Sequence, residues 1–325
     1  GDLMMDLENL KAKFWDGTYV DESENGKKIL KQFYFNEEGI KIAIKRALGD
    51  FTDRTEKLAT ESGGKSLGVE EKFKLLCATG NTQTEESFVK KFVDYFFHQS
   101  VELENQDAFN KWHHEMCKKF LAVIGPKYQG GLNYGKAQKV VNMSFKNAYC
   151  LKGPHNSEKY YRWCHMPLDS ITLEWVGRTQ ASIKKEESAY LRKGRIPSWS
   201  KMNYEKEDSF KNSEGKCYYG YKEIQDAIFT YFDEDEYVEK NPATKYLISY
   251  TPFQAEFFVW QYMQLELSAE EFYNQCLSFE ELSSKEKGDK KNKFKRKSIN
   301  EKIEDLQNIL KDMERYNLSI DSSKN

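Results

Sequence analysis

Between residues 130 and 178 the chain lays down, in order, a glycine-rich turn, a helical apolar repeat, and a proline-framed aspartate that opens a second apolar repeat. That order confines the segment to two packed helices joined by irregular backbone. Over residues 136–151, Ala137, Val140, Val141, Ser144, Ala148 and Leu151 recur at three- and four-residue intervals, while Gln138, Lys139, Asn142 and Lys146 fall largely elsewhere. The spacing predicts a helix with one face on a core. Gly130, Gly131, Asn133 and Gly135 precede or open it, and all tolerate positive φ. A tight turn is therefore expected to expose several backbone amides at the helix start, where a phosphate can sit.

Lys136 falls in the first helical turn, where the helix dipole and any burial both disfavour an ammonium, so its pKa is expected to fall. A neutral amine is what nucleophilic attack on carbon requires. Downstream, Pro167 restricts the approach to Asp169, which is placed to cap a helix with apolar positions Ile171, Leu173, Trp175 and Val176. A partly buried carboxylate there can also accept a proton or stabilise a developing cation. An ordinary helix-start lysine and a plain helix cap are the simpler explanations of the two residues.

The rest of the chain predicts a mainly α protein with a small β element near the N-terminus. Helical spacing covers 3–14, 40–48, 86–97, 108–121, 169–177, 221–232 and 252–267, and Tyr19 and residues 33–35 read as short strands. Phe253, Phe257, Phe258, Trp260 and Tyr262 give the 252–267 helix a dense aromatic face suited to a core. Residues 191–220 carry Lys, Asn, Ser and Gly and are expected to form a long surface excursion between two helical parts. A last helix places Ile299, Ile303, Leu306, Leu310 and Met313 on one narrow stripe that should dock on its own domain. Three regions are expected: 1–105, helical with short strands; 106–284, the helical core; and 285–325, a basic linker and an amphipathic helix.

Composition narrows the classes. With 325 residues, 39% apolar and 14% aromatic, the chain can fill one large core or two ordinary ones. Its 50 basic and 52 acidic residues leave a net charge of −2, so attraction to nucleic acid or to an acidic membrane must come from a local patch. Residues 285–297, with eight Lys or Arg against two acids, form such a run, although a solvated linker before the last helix is its simpler explanation. No apolar stretch approaches a membrane span, and six scattered cysteines read as reduced thiols in the cytoplasm. No membrane partner is expected.

Two near-motifs are set aside. Residues 59–66 (ATESGGKS) approach a phosphate loop, but the charged residues before them make no buried strand. His113, His114, Cys117, Cys164 and His165 lack paired metal-ligand spacing. No metal or cofactor is expected.

The order of glycine-rich hairpin, lysine-bearing helix and Pro-x-Asp helix start resembles the helix-hairpin-helix DNA glycosylase and lyase family, particularly its 8-oxoguanine branch. The resemblance spans 130–178. It implies duplex DNA as partner, Lys136 as amine nucleophile and Asp169 as catalytic carboxylate, with Gly131, Asn133, Gly135 and Lys139 facing the nucleic acid. It also implies a damaged nucleotide flipped out against an aromatic side chain, for which Tyr160, Tyr161, Trp163, Phe257 and Trp260 are available. The chain departs from the family's hairpin in carrying Asn133 where a central glycine is expected, and GPHNSEKYYRWC lengthens the stretch between Lys136 and Asp169. The alternative is a non-enzymatic helical protein that binds nucleic acid or another protein through 285–297.

Overall fold

The computed structural model describes residues 7–22, 28–51, 58, 67–78, 85–98, 105–181, 183, 190–206, 211, 214–240, 244, 247–285 and 304. Over them the chain runs α1 (Leu7–Phe14), β1 (Thr18–Glu22), β2 (Lys28–Gln32), α2 (Glu37–Gly49), α3 (Val69–Cys77), α4 (Phe88–Phe97), α5 (Gln106–Ile124), α6 (Tyr134–Tyr149), α7 (Ser170–Gln180), α8 (Tyr221–Asp233), α9 (Asp235–Lys240) and α10 (Pro252–Lys285). The fold is mainly α, with one antiparallel hairpin in which Val20 faces Leu30. The 59–66 stretch, the basic run after Lys285 and the terminal apolar stripe lie outside the described residues. Among the described residues no helix is long and apolar enough to cross a membrane.

Local chemistry sets the helix starts. The side chains of Asn36, Ser87 and Asn105 accept from the backbone amides of Gly39, Lys90 and Ala108, satisfying donors that the first turn leaves open. At α10, Thr251 and Gln254 cap each other reciprocally at 3.1 and 3.2 Å, and Pro252 fits the first helical position. That helix runs through Lys285, well past the expected 252–267.

Helix α6 is the centre of the fold. It packs on α2 and α5, and every one of its sixteen residues except Lys139 is buried. The expected division into a core face and a polar face is therefore overturned: the polar residues are buried too, each with an internal partner. Ser144 donates to Val140 O at 2.8 Å, Asn147 to Ala43 O at 3.1 Å, and Lys146 pairs with Glu256. Around α6, the row Phe88, Phe92 and Phe96 of α4 meets Phe120, Trp112 and Phe145, with Phe92 and Phe145 centroids 4.8 Å apart. A single cluster of buried side chains extends from Leu10 to Met263, across the expected boundary at 105/106.

The described part of the 191–220 excursion lies mainly at the surface, as expected, but is pinned to the core at two side chains. Leu191 and Met202 are buried, and a single helical turn at Trp199–Lys201 lies against the start of α6. Gly135 permits this approach, because a Cβ there would fall 1.6 Å from the carbonyl oxygen of Trp199. Gly135→Ala is expected to cost about 3 kcal/mol, the upper end of overpacking, or to force the 199–202 turn off α6. Urea denaturation and tryptophan emission would register either change; an unaltered midpoint and spectrum would contradict the close approach.

Candidate functional site

Lys139 is the place where the buried central helix reaches solvent. Its side chain is 19% exposed, and its Nζ lies 3.4 Å from Asp169 Oδ2. Asp169 caps α7 as expected, and its two oxygens divide the work. Oδ1 accepts from the amides of Ile171 and Thr172 at 2.9 and 3.0 Å, while Thr172 Oγ1 accepts from the Asp169 amide at 2.8 Å. Oδ2 faces Lys139 and also accepts from the indole of Trp260 at 3.3 Å. A helix cap thus holds the carboxylate rigid and leaves one oxygen directed at an amine.

Indoles flank the pair. The Trp199 ring lies 4.9 Å from Lys139 Nζ and 4.7 Å from Lys136 Nζ, close enough for both cations to interact with its face. Lys136 is 2% exposed and also faces Phe51 at 5.5 Å. The lysine beside Asp169 is therefore Lys139, one turn after the Lys136 singled out by sequence order, and Lys136 sits inside under Trp199. Beneath the site, α10 carries Glu256 one turn before Trp260. Glu256 pairs with Lys146 at 2.5 Å; both are buried, and desolvation pushes the Glu256 carboxyl above the usual carboxylate range although the Lys146 ammonium pulls it down.

The glycine-rich turn is formed but is not an open amide cradle. Gly130 and Gly131 adopt φ of 78° and 74° as anticipated, and no atom lies within 4 Å of where their Cβ would be. Gly131 N donates to Tyr128 O at 3.1 Å, Gly135 N donates to Met202 O at 3.0 Å, and the Asn133 side chain donates to Ser200 O at 3.0 Å. Docking of the 199–202 turn thus occupies groups expected to meet a phosphate. Of the aromatics named for stacking, Trp260 borders the site; Tyr161 and Phe257 are core, packed on Phe253 and Phe14. Trp199 was invisible to sequence reasoning, its one signal being a glycine inside the first turn of a helix.

Behind the site lies a closed polar network. His165 Nε2–H donates to Asn110 Oδ1 at 2.6 Å, which leaves Nδ1 to accept from the Tyr221 hydroxyl at 2.8 Å. Tyr221 accepts from Asn142 Nδ2 at 2.9 Å, and Asn142 Oδ1 accepts from His113 Nε2–H at 2.8 Å. His113 Nδ1 then accepts from the Cys117 thiol at 3.7 Å, which burial keeps protonated. Every partner is satisfied with both imidazoles neutral, and burial depresses His113 to about 3 and His165 well below its ordinary value. Among the described residues no group of three or more potential ligands is arranged to hold a metal.

This network has a pH signature. Because the folded histidines resist protons that the unfolded chain takes up below pH about 6.5, their stability contribution is complete above that pH and falls as pH drops. Each histidine lowers stability by about 1.4 kcal/mol per pH unit in that range, up to about 4 kcal/mol for the pair between pH 7 and 5. Glu256, whose raised carboxyl favours the folded state in acid, opposes part of the fall. Urea midpoints that stay flat from pH 7 to 5 would contradict the neutral, buried assignment.

No protein-family model, curated protein or solved structure matches the chain.

Proposed function

We propose that the chain is a DNA base-excision glycosylase with AP-lyase activity, with Lys139 as the amine and Asp169 as the carboxylate. The observation that carries this reading is the partly exposed Lys139–Asp169 pair, 3.4 Å apart, on a rigid helix cap between two indoles. Sequence order alone favours Lys136 for the amine, but a lysine 2% exposed under Trp199 reaches a nucleotide only if that cover moves.

In the proposed reaction a nucleotide leaves the duplex and its base lies against Trp199 or Trp260. Lys139 passes its proton to Asp169, and the neutral amine attacks C1′ of the sugar. The new N–C1′ bond forms as the C1′–base bond breaks, the bonding electrons leaving with the base, which takes up a proton. The attached nitrogen loses a proton, and its lone pair then opens the C1′–O4′ bond as O4′ takes up a proton, which gives a protonated imine. Removal of a C2′ proton then breaks the C3′–O bond and releases the phosphate, the lyase step.

The test is borohydride trapping on duplexes that carry an abasic site or 8-oxoguanine, because reduction turns the imine into a stable covalent amine. The wild-type chain is expected to give an adduct, with duplex binding that weakens steeply as salt rises. Absence of any adduct from folded protein overturns the reading. Duplex binding without adduct would instead favour a non-enzymatic DNA-binding protein.

A further inference from the structure

We infer that Gln138 is the positioning residue of this site, and that its side-chain amide sets the distance between Lys139 and Asp169; the catalytic consequence rests on the glycosylase reading. Gln138 directly precedes Lys139, and Leu168 directly precedes Asp169. The fully buried Gln138 amide joins these two neighbours in both directions. Its Nε2 donates to Leu168 O at 2.7 Å, and its Oε1 accepts from Leu168 N at 3.3 Å.

The remaining capacity of the amide is used as well. Nε2 donates to Gly135 O at 3.0 Å, and Oε1 accepts from Asn142 Nδ2 at 3.0 Å. Two donors and two lone pairs are thus all engaged, and only one orientation of the amide satisfies both groups of Leu168. Asn142 ties Gln138 to Tyr221, which holds His165, and Gln225 Nε2 holds Met166 O at 2.7 Å. The 165–169 strand of chain is therefore fixed at three points, and the fixing point next to the reacting carboxylate is a side chain next to the reacting amine. Leucine or methionine fills the same volume but pairs with neither backbone group, so Asp169 loses its register against α6.

Gln138→Met tests this, with Gln138→Glu as a shape-conserving second variant. The first readout needs no substrate: the indole N–H resonance of Trp260, assigned with Trp260→Phe, reports the position of Asp169 Oδ2 3.3 Å away. It is expected to move in Gln138→Met towards its position in Asp169→Asn. The second readout is the single-turnover trapping rate on an abasic duplex, expected to fall by about 10- to 100-fold with duplex affinity unchanged, the scale of a misplacement near 1 Å. In Gln138→Glu only the neutral acid can still donate to Leu168 O, so its rate relative to wild type is expected to rise as pH falls.

An indole resonance that stays in place in Gln138→Met overturns the inference whatever the trapping rate does. A moved resonance with wild-type trapping overturns the catalytic consequence. A moved resonance in a protein whose wild type forms no adduct supports the positioning and overturns the glycosylase reading instead.

Discussion

Lys139→Gln is expected to abolish the covalent adduct and to lower the single-turnover rate of base release on the order of a thousandfold or more, the scale of losing a covalent nucleophile. Glutamine keeps the length and polarity of the side chain but has no basic nitrogen to attack C1′. Since Lys139 alone among the residues of α6 is not buried, the substitution should leave the melting temperature nearly unchanged. Asp169→Asn should cost less, about 10²- to 10⁴-fold, because its cap oxygen still accepts from Ile171 and Thr172 while the proton acceptor facing Lys139 is lost. Lys136→Gln separates the two candidate amines: an adduct retained there and lost in Lys139→Gln supports the assignment, and the reverse pattern transfers the chemistry to Lys136.

Breaking the pair beneath the site should have the largest effect on stability. Lys146 and Glu256 are 4% and 2% exposed and 2.5 Å apart, and the Lys146 ammonium also lies 4.1 Å from the Phe14 ring centroid and 4.7 Å from that of Phe257. Glu256→Gln leaves that ammonium among apolar rings without a counter-charge, at a cost of about 3–5 kcal/mol. Against a total stability of about 5–15 kcal/mol, such a loss is a large fraction of what holds the chain folded. Lys146→Met/Glu256→Leu should recover most of it, because an apolar pair leaves no charge stranded. Urea denaturation of Lys146→Met, Glu256→Leu and the double variant decides the matter: losses that simply add would show that the charges are not coupled. Because α10 carries both Glu256 and Trp260, the same variants should also disturb the indole contact with Asp169.

The cap residue of α7 was legible in the sequence for a local reason. Asp169 sits before an apolar repeat, and its bonds to Ile171 and Thr172 are made within three residues. The left-handed turn at Gly130 and Gly131 was legible for the same reason, since only the glycines' own backbone freedom is involved. The choice between Lys136 and Lys139 was not. Both lie near the start of one helix, and their difference in exposure depends on Phe51 and Trp199, which arrive from opposite directions along the chain.

Trp199 shows the limit most sharply. Nothing near residues 191–220 distinguishes a solvated loop from a turn that covers the start of α6, because the deciding fact is the missing side chain of Gly135 on another element. Gln138 is a similar case: its polar side chain suggested an outer face, yet it is 0% exposed because Leu168 offers it both backbone groups.

By itself, the amino-acid order determined the mainly helical class, the approximate places of most helices though not of α3 or α9, the glycine turn and the Asp169 cap, because periodicity and capping act over a few residues. Tertiary structure alone decided that α6 is buried on nearly every side, that Lys139 is its outlet, and that this amine meets Asp169 between Trp199 and Trp260. Burial and side-chain encounter belong to the neighbours that packing supplies, and those neighbours come from segments far apart in the chain.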